Sequence, residues 1–241
     1  MKIALAQINP TVGDIAGNLR KIKSFAARAK RRGAQLVAFP ELCITGYPPR
    51  DLVEHRQFVD RNQAAVRELA RAVRDISLIV GFVSDNTHPT GKRLCNSVAL
   101  LTNGELSEIR CKQLLPTYDV FDETRNFAPG TRNDPVAFRG KRLGLTICED
   151  MWNEASFWPH PLYSHDPVAE LARLKADVQI NISSSPFHRG KNRLRLEMLQ
   201  SHVRQIRTPF LFVNQVGGND DLIFDGHSLA VDANGRLLAQ A

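Results

Sequence analysis

No stretch of this sequence approaches the ~20 apolar residues that a membrane-crossing helix needs. Its N-terminus, MKIALAQINPTVGD, offers one lysine and a handful of apolar residues before Gln7 and Asn9. That is too short for the apolar region of an export signal, so a cytoplasmic protein with no membrane partner is expected. Cysteine is scarce as well. Cys43, Cys95, Cys111 and Cys148 lie far apart and form no C-x-x-C pair, which favours free thiols over a disulfide framework or a zinc site. The chain also lacks a cluster with metal-ligand spacing, a Gly/Ser linker and any low-complexity tract. Aromatic residues are only 7% of the chain and do not interleave with basic ones, so the stacking platform of a single-strand nucleic-acid binder is missing. The formal charge of +7 therefore needs another reading. Its densest run, RAKRRG at 28–33, falls where a helix is expected to end, a place that favours cations.

What is present reads as one ordinary globular domain, with 43% hydrophobic and 24% charged residues over a length sufficient for a sizeable core. DIAGNLRKIKSFAARAKRRG places Leu19, Ile22, Phe25, Ala26 and Ala29 at helical spacing and stops at Gly33. A short apolar strand, AQLVAFPEL, follows. A second amphipathic helix is expected over His55 to Val73, leading into the strand SLIVGFV at 77–83. Two helix-then-strand units in succession predict an α/β protein. Asn103-Gly104 and Asn234-Gly235 each join two strand-like runs, and this dipeptide is the strongest short-range hairpin signal. Between the hairpins lie the strand KRLGLTIC, a helix at about 166–176, the strand ADVQINISSS, a helix at about 193–207 and the strand PFLFVNQVG. The second half thus repeats the elements of the first.

The chemistry begins at Cys148. The strand Leu143 to Ile147 delivers it directly before two acids, Glu149 and Asp150. A free thiol has a pKa of about 8.5, and adjacent carboxylates disfavour the thiolate further. A nucleophilic Cys148 would therefore need a base for its proton and a cation for its charge. Seven histidines are available, and His188 and His227 lie in loops that could approach it. Strand ends provide a better set, since sites in α/β sheets form outside the carboxyl ends of strands. VAFPEL delivers Glu41, SEIRCKQLLP delivers Lys112, and LGLTICED delivers Cys148. Singly, each reads as a solvated charge or a buried thiol; it is their convergence that suggests a site.

FPEL, RCKQLLPTYDVFDE and ICEDMW resemble the three signature segments of the nitrilase superfamily of carbon–nitrogen hydrolases, whose catalytic residues are Glu, Lys and Cys in that order. AQINPTVGDIAGN, ELCITGYPPRDL, KQLLPTYDVFDE and NISSSPFHRGK further resemble the glutaminase domains of the glutamine-dependent NAD+ synthetases, over essentially residues 1–241. The resemblance implies a four-layer α-β-β-α sandwich. It makes Cys148 the nucleophile toward L-glutamine, Glu41 the general base and Lys112 the oxyanion stabiliser. Glu149 would meet the substrate ammonium, Tyr118 and Glu123 would line the pocket, Ser185 and Lys191 would hold the amino-acid end, and Tyr47 would close the mouth. Glu149 is expected to point away from the sulfur by strand alternation.

Such synthetases continue into an ATP-binding domain with a Ser-Gly-Gly-type pyrophosphate loop, and no such loop occurs in these residues. ATP, Mg and deamido-NAD+ are accordingly expected only in that absent synthetase domain, which would receive the ammonia. No cofactor or metal is expected here, and a homo-oligomer is. Two alternatives are a free-standing nitrilase-type amidase acting on another small amide, and a catalytically silent interaction module of the same fold. The presence of Glu41, Lys112 and Cys148 together argues against the second.

Overall fold

In the computed structural model, which describes residues 1–241, strand β1 (Ile3–Leu5) leads into helix α1 (Ile15–Arg31) and strand β2 (Leu36–Ala38). Asp14 caps α1 by accepting the Gly17 N–H at 2.8 Å, and Arg28, Lys30 and Arg31 occupy its last turn. The basic run thus complements a helix C-terminus, as the sequence suggested. Helix α2 (Arg56–Ala72) and strands β3 (Ser77–Asp85), β4 (Leu94–Thr102) and β5 (Glu105–Cys111) complete the first half. These five strands form one sheet in chain order, parallel from β1 to β3 and antiparallel from β3 to β5.

The second half contains β6 (Val136–Phe138), β7 (Lys141–Ile147), α3 (Pro167–Arg173), β8 (Val178–Ser183), α4 (Lys191–Ile206) and β9 (Phe210–Asn214). There follow β10 (Val216–Asn219), β11 (Leu222–Asp225), β12 (Leu229–Val231) and β13 (Leu237–Gln240). Six of these build a sheet ordered β13-β12-β9-β8-β7-β6, with β7, β8 and β9 mutually parallel. From β1 in the first half and from β7 in the second, the chain therefore runs strand, helix, strand, helix, strand, then antiparallel strands, with β6 an added antiparallel edge of the second sheet. Strands β10 and β11 pair only with each other; the expected strand PFLFVNQVG ends at Asn214, and the chain then enters this separate hairpin, whose turn falls at Asp220 and Asp221.

Alternation along the strands sets the layers. Leu36, Ala38, Ile79, Val98 and Leu100 of the first sheet pack against Leu143, Leu145, Ile147, Ile180 and Ile182 of the second. Val37, Leu78, Val80, Ala99 and Leu101 point the other way, onto Ile22, Ala26, Val66 and Leu69 of α1 and α2. Val168, Leu199 and Val203 of α3 and α4 cover Phe210, Phe212, Leu229 and Val231. This is a four-layer α-β-β-α sandwich. Because both faces of each sheet are covered, the central strands read as continuous apolar runs and not as alternating ones. No helix is long and apolar enough to cross a membrane.

Candidate active site

Three chain segments bring their functional groups to one end of the inner sheets. The first crosses β3 at Gly81, where any Cβ would lie 2.2 Å from the Leu42 backbone nitrogen and 2.7 Å from the Glu41 carbonyl carbon. The absence of a side chain there lets Glu41 enter the interior. The second continues β5 by one residue to Lys112, whose N–H still pairs with the Asn96 carbonyl oxygen at 2.8 Å. In the third, β7 ends at Ile147 and Cys148 opens a single 3-10 turn, Cys148–Met151, at φ 42°. That left-handed backbone costs a non-glycine residue about 1–3 kcal/mol and persists only where the surroundings over-determine it.

Asp150 supplies much of that determination. One of its oxygens accepts the Ile147 N–H at 2.8 Å; the other accepts the N–H groups of Gln113 and Leu114, both at 2.9 Å. The acid that seemed to oppose a thiolate is thus a buried strut. The expectation that Glu149 continues an extended segment is corrected here, since the turn begins at Cys148 and strand alternation does not apply beyond it.

Lys112, Glu41 and Glu123 form a buried charge cluster. The Lys112 ammonium donates to Glu41 Oε1 at 2.8 Å and to Glu123 Oε1 at 2.6 Å, and Lys112 and Glu41 have no solvent exposure. Asn96 joins the two acids with one amide nitrogen, 2.7 Å from Glu41 and 3.3 Å from Glu123. Glu41 also accepts the Ser184 N–H at 2.9 Å. Burial alone would pull the ammonium down, but Glu123, Glu41 and the nearby Cys148 outweigh it and hold Lys112 well above the usual lysine value. Burial and the Glu41 charge push Glu123 up, opposed by Lys112. The thiol of Cys148 is pushed well up by burial and Glu41, and Lys112 opposes that shift.

Cys148 opens into a cavity of about 440 Å³ that it shares with Glu149, Tyr118, Ser185 and Lys191. Trp152, Trp158, Leu162 and His188 form much of the remaining wall. Glu149 accepts the Tyr118 hydroxyl at 2.8 and 2.9 Å and that of Tyr163 at 2.9 Å. The Lys191 ammonium lies 5.6 Å above the Trp152 ring, a cation–π distance. Ser185 is held by Arg195, a fully buried guanidinium that donates to its carbonyl and hydroxyl oxygens and pairs with Asp225 at 2.8 Å. The cavity wall therefore carries an acid at Glu149 and a base at Lys191.

Two expected pocket residues are elsewhere. Tyr47 does not close the mouth: it is buried, and its hydroxyl donates to Glu123 at 2.8 Å behind Lys112. Glu123 does not line the cavity of Cys148 but forms the far side of the lysine's cage. Both border a separate cavity of about 360 Å³. Tyr47 also packs edge-on against Phe224 of the unforeseen β10–β11 hairpin, 6.3 Å between ring centres, which explains its inward position. His188 reaches the cavity wall, whereas the charges acting on the Cys148 thiol come from Glu41, Lys112, Glu149 and Glu123 and not from an imidazole.

Sequence reading missed Asn96, Ser184, Tyr163, Trp152 and Arg195. Asn96 alone carried a signal, as a polar residue inside the buried strand LCNSVALLT. Arg195 sits in the polar-looking helix segment KNRLRLE and gave none. No group of three or more His, Cys, Asp or Glu side chains is placed to hold a metal ion.

The sequence pattern of the carbon-nitrogen hydrolases matches residues 2–241. A glutamine-dependent NAD(+) synthetase of Synechocystis sp. is 40% identical over 99% of this chain and 44% of its own length. One from Thermotoga maritima is 36% identical over 99% of this chain and 39% of its own. The chain thus spans less than half the length of these relatives. Among solved structures, the glutamine-dependent NAD+ synthetase of Acinetobacter baumannii superposes at a TM-score of 0.89 with 36% identity, over 99% of this chain and 43% of that one. An amidase from Nesterenkonia sp. matches at 0.82 with 24% identity, over 100% of this chain and 86% of that one, a likeness of fold alone. With the four layers, the buried Glu41–Lys112 pair and the thiol beside it all in place, this match over nearly every residue leads to one conclusion: the chain belongs to the carbon-nitrogen hydrolase family of the nitrilase superfamily.

Proposed function

We propose that this chain hydrolyses the side-chain amide of L-glutamine to glutamate and ammonia through a thioester on Cys148. We further propose that the ammonia serves an ATP-dependent amidation of deamido-NAD+ to NAD+ in a synthetase domain outside these residues. The observation that carries the first part is Lys112, a lysine kept charged without solvent contact beside both an acid and a thiol. A fixed cation in a dry site stabilises a developing oxyanion far better than one in water.

The steps follow from the geometry. Glu41 already accepts hydrogen bonds from Lys112, Asn96 and Ser184, and a carboxylate has about four acceptor sites. One remains for the thiol proton. As Glu41 takes it, Cys148 sulfur bonds to the amide carbon and the oxyanion forms beside Lys112. Collapse breaks the C–N bond, the proton passes from Glu41 to nitrogen, and ammonia leaves. Water then attacks the thioester, with Glu41 taking its proton and returning it to the departing sulfur. Splitting one hydrolysis into two steps in this way is the advantage of covalent catalysis.

Glutamine is favoured over a simple amide because the cavity complements a zwitterion. Glu149, held by two phenols, suits the ammonium; Lys191 and Ser185 suit the carboxylate. Rates for glutamine and acetamide with the wild-type chain and Cys148→Ser test this reading. Glutamine should be preferred, and the variant should remain folded by circular dichroism yet lose nearly all hydrolysis. Equal or faster turnover of acetamide would instead mark a free-standing small-amide hydrolase.

A further inference from the structure

Cys95 and Cys111 stand on adjacent antiparallel strands and on the same face of the first sheet. Ser97 is the residue opposite Cys111 in the β4–β5 register, and Cys95 is two residues before it. The two side chains are therefore diagonal neighbours on that face. Hydroxyls surround them: Ser97 Oγ lies 3.5 Å from Cys111 Sγ and 2.7 Å from Ser84 Oγ. Cys111 is only half-buried. Both sulfurs border a cavity of about 180 Å³ whose walls include Arg110, Arg132 and Gly130. None of these groups has a part in the amide chemistry. Yet Asn96 and Lys112, the next residues in sequence, point through the sheet to the opposite face and into the buried charge cluster.

We propose that Cys95 and Cys111 are a reversible oxidation site for hydroperoxides, closing to a disulfide that displaces Lys112 and Asn96 from behind. Cys111 is the residue that reacts first, because it is half-buried whereas Cys95 is fully buried. The neighbouring Cys95 thiol lowers its pKa most, burial opposes, and the Ser97 and Ser84 hydroxyls and Arg110 add to the lowering, to about 6. By contrast burial pushes Cys43 up to about 12 and Cys148 well above the usual thiol value. Thiolates, not thiols, attack peroxides.

In the first step the Cys111 thiolate bonds to one peroxide oxygen, the O–O bond breaks, and hydroxide or an alkoxide leaves, giving a sulfenic acid. The Cys95 sulfur then attacks that sulfur. The S–O bond breaks and the hydroxide departs as water with the Cys95 proton. Two electrons pass from the thiol pair to the peroxide, and a thiol reductant reverses the change. Diagonal neighbours in an antiparallel pair sit about 7–8 Å apart, whereas a disulfide holds its Cα atoms at about 4.4–6.8 Å. Closing the bond must therefore move the strands at the Asn96–Lys112 rung, and a shift of about 1 Å in a catalytic group can cost on the order of 100-fold.

The test uses the whole chain and does not depend on what amide it hydrolyses. Wild-type protein is treated with stoichiometric hydrogen peroxide at neutral pH, its remaining thiols are alkylated in denaturant, and its peptides are mapped by mass spectrometry. In parallel, the rate at which iodoacetamide labels Cys148 in the folded protein is measured before oxidation, after it, and after dithiothreitol. The expected map joins Cys95 to Cys111 by a bond that dithiothreitol removes, with Cys43 still alkylated. Labelling of Cys148 should fall at least about fivefold, the lower range of a typical coupling between sites, and recover on reduction. Cys95→Ser should stop at a dimedone-trappable Cys111 sulfenic acid, and Cys111→Ser should leave Cys148 labelling insensitive to peroxide. The proposal is overturned if peroxide leaves both cysteines free or modifies Cys111 without bonding it to Cys95. It is equally overturned if the bond forms while Cys148 labelling is unchanged.

Discussion

Asp150 accepts the backbone N–H of Leu114 at 2.9 Å across 36 residues of chain. Its other oxygen takes the Ile147 N–H at 2.8 Å, one residue before the thiol. A single carboxylate therefore fixes the distance between the turn that presents Cys148 and the segment that leaves Lys112. An amide in its place would turn one N–H₂ group toward backbone donors and leave a buried N–H unpaired, at a cost of about 1–3 kcal/mol. Asp150→Asn is expected to unfold at lower temperature and to lose turnover more than substrate affinity. Thermal melts with steady-state kinetics check both, and unchanged kcat would disprove the link.

Gly81 tests the placement of Glu41. An added methyl would sit 2.2 Å from the Leu42 nitrogen, and backbone, not a flexible side chain, must move to admit it. Gly81→Ala should cost about 1–3 kcal/mol of stability, as overpacking does. It should also reduce kcat/KM at least about tenfold through misplacement of Glu41. A variant with wild-type kinetics would show that the base tolerates the shift.

Removal of the buried cation separates catalysis from stability. Lys112→Met leaves Glu41 and Glu123 facing each other without solvent, and breaking a buried pair this way typically costs about 3–5 kcal/mol. Turnover should fall by about 10²–10³, with KM much less affected, because the oxyanion exists only after attack. Adding Glu123→Gln to that variant should restore part of the melting temperature but little of the rate. A pure KM effect would make Lys112 a binding residue instead.

If the proposed glutamine reading holds, the acid limb of substrate binding should report Glu149. Burial raises its carboxyl above the usual value, while Lys112 and the phenols of Tyr118 and Tyr163 pull it back. Only the ionised form attracts an ammonium. As pH falls through that raised value Glu149 gains a proton, so KM should climb at a higher pH than the ~4.3 of a solvated glutamate. In Glu149→Gln the KM should be high throughout and show no such limb. A limb that survives this substitution would belong to another group.

Residue order and local pattern were enough to settle much of this protein. Periodicity located α1 and α2, the two Asn-Gly dipeptides located the β4–β5 and β12–β13 hairpins, and the repeated order of elements foreshadowed two similar halves. Strand-then-loop context singled out Glu41, Lys112 and Cys148; a charge or thiol after an apolar run, as at Glu41 and Cys148, is conspicuous in one dimension, whereas Lys112 follows the polar strand ELSEIRC and stood out by its place at a strand end. Other features depend on contacts between distant segments. Tyr47 reads as a loop tyrosine before proline, yet it is buried because Phe224 and Glu123, far along the chain, meet it. Arg195 lies in a polar stretch and is fully buried because Ser185 and Asp225 take up its donors. Asp150 seemed an obstacle to the thiolate and proved to be a strut once the 3-10 turn faced the Lys112 segment. Local sequence reports what a residue prefers next to its neighbours, whereas the partner of a buried polar group is chosen by the packing of the two sheets, and only the folded chain brings those partners together.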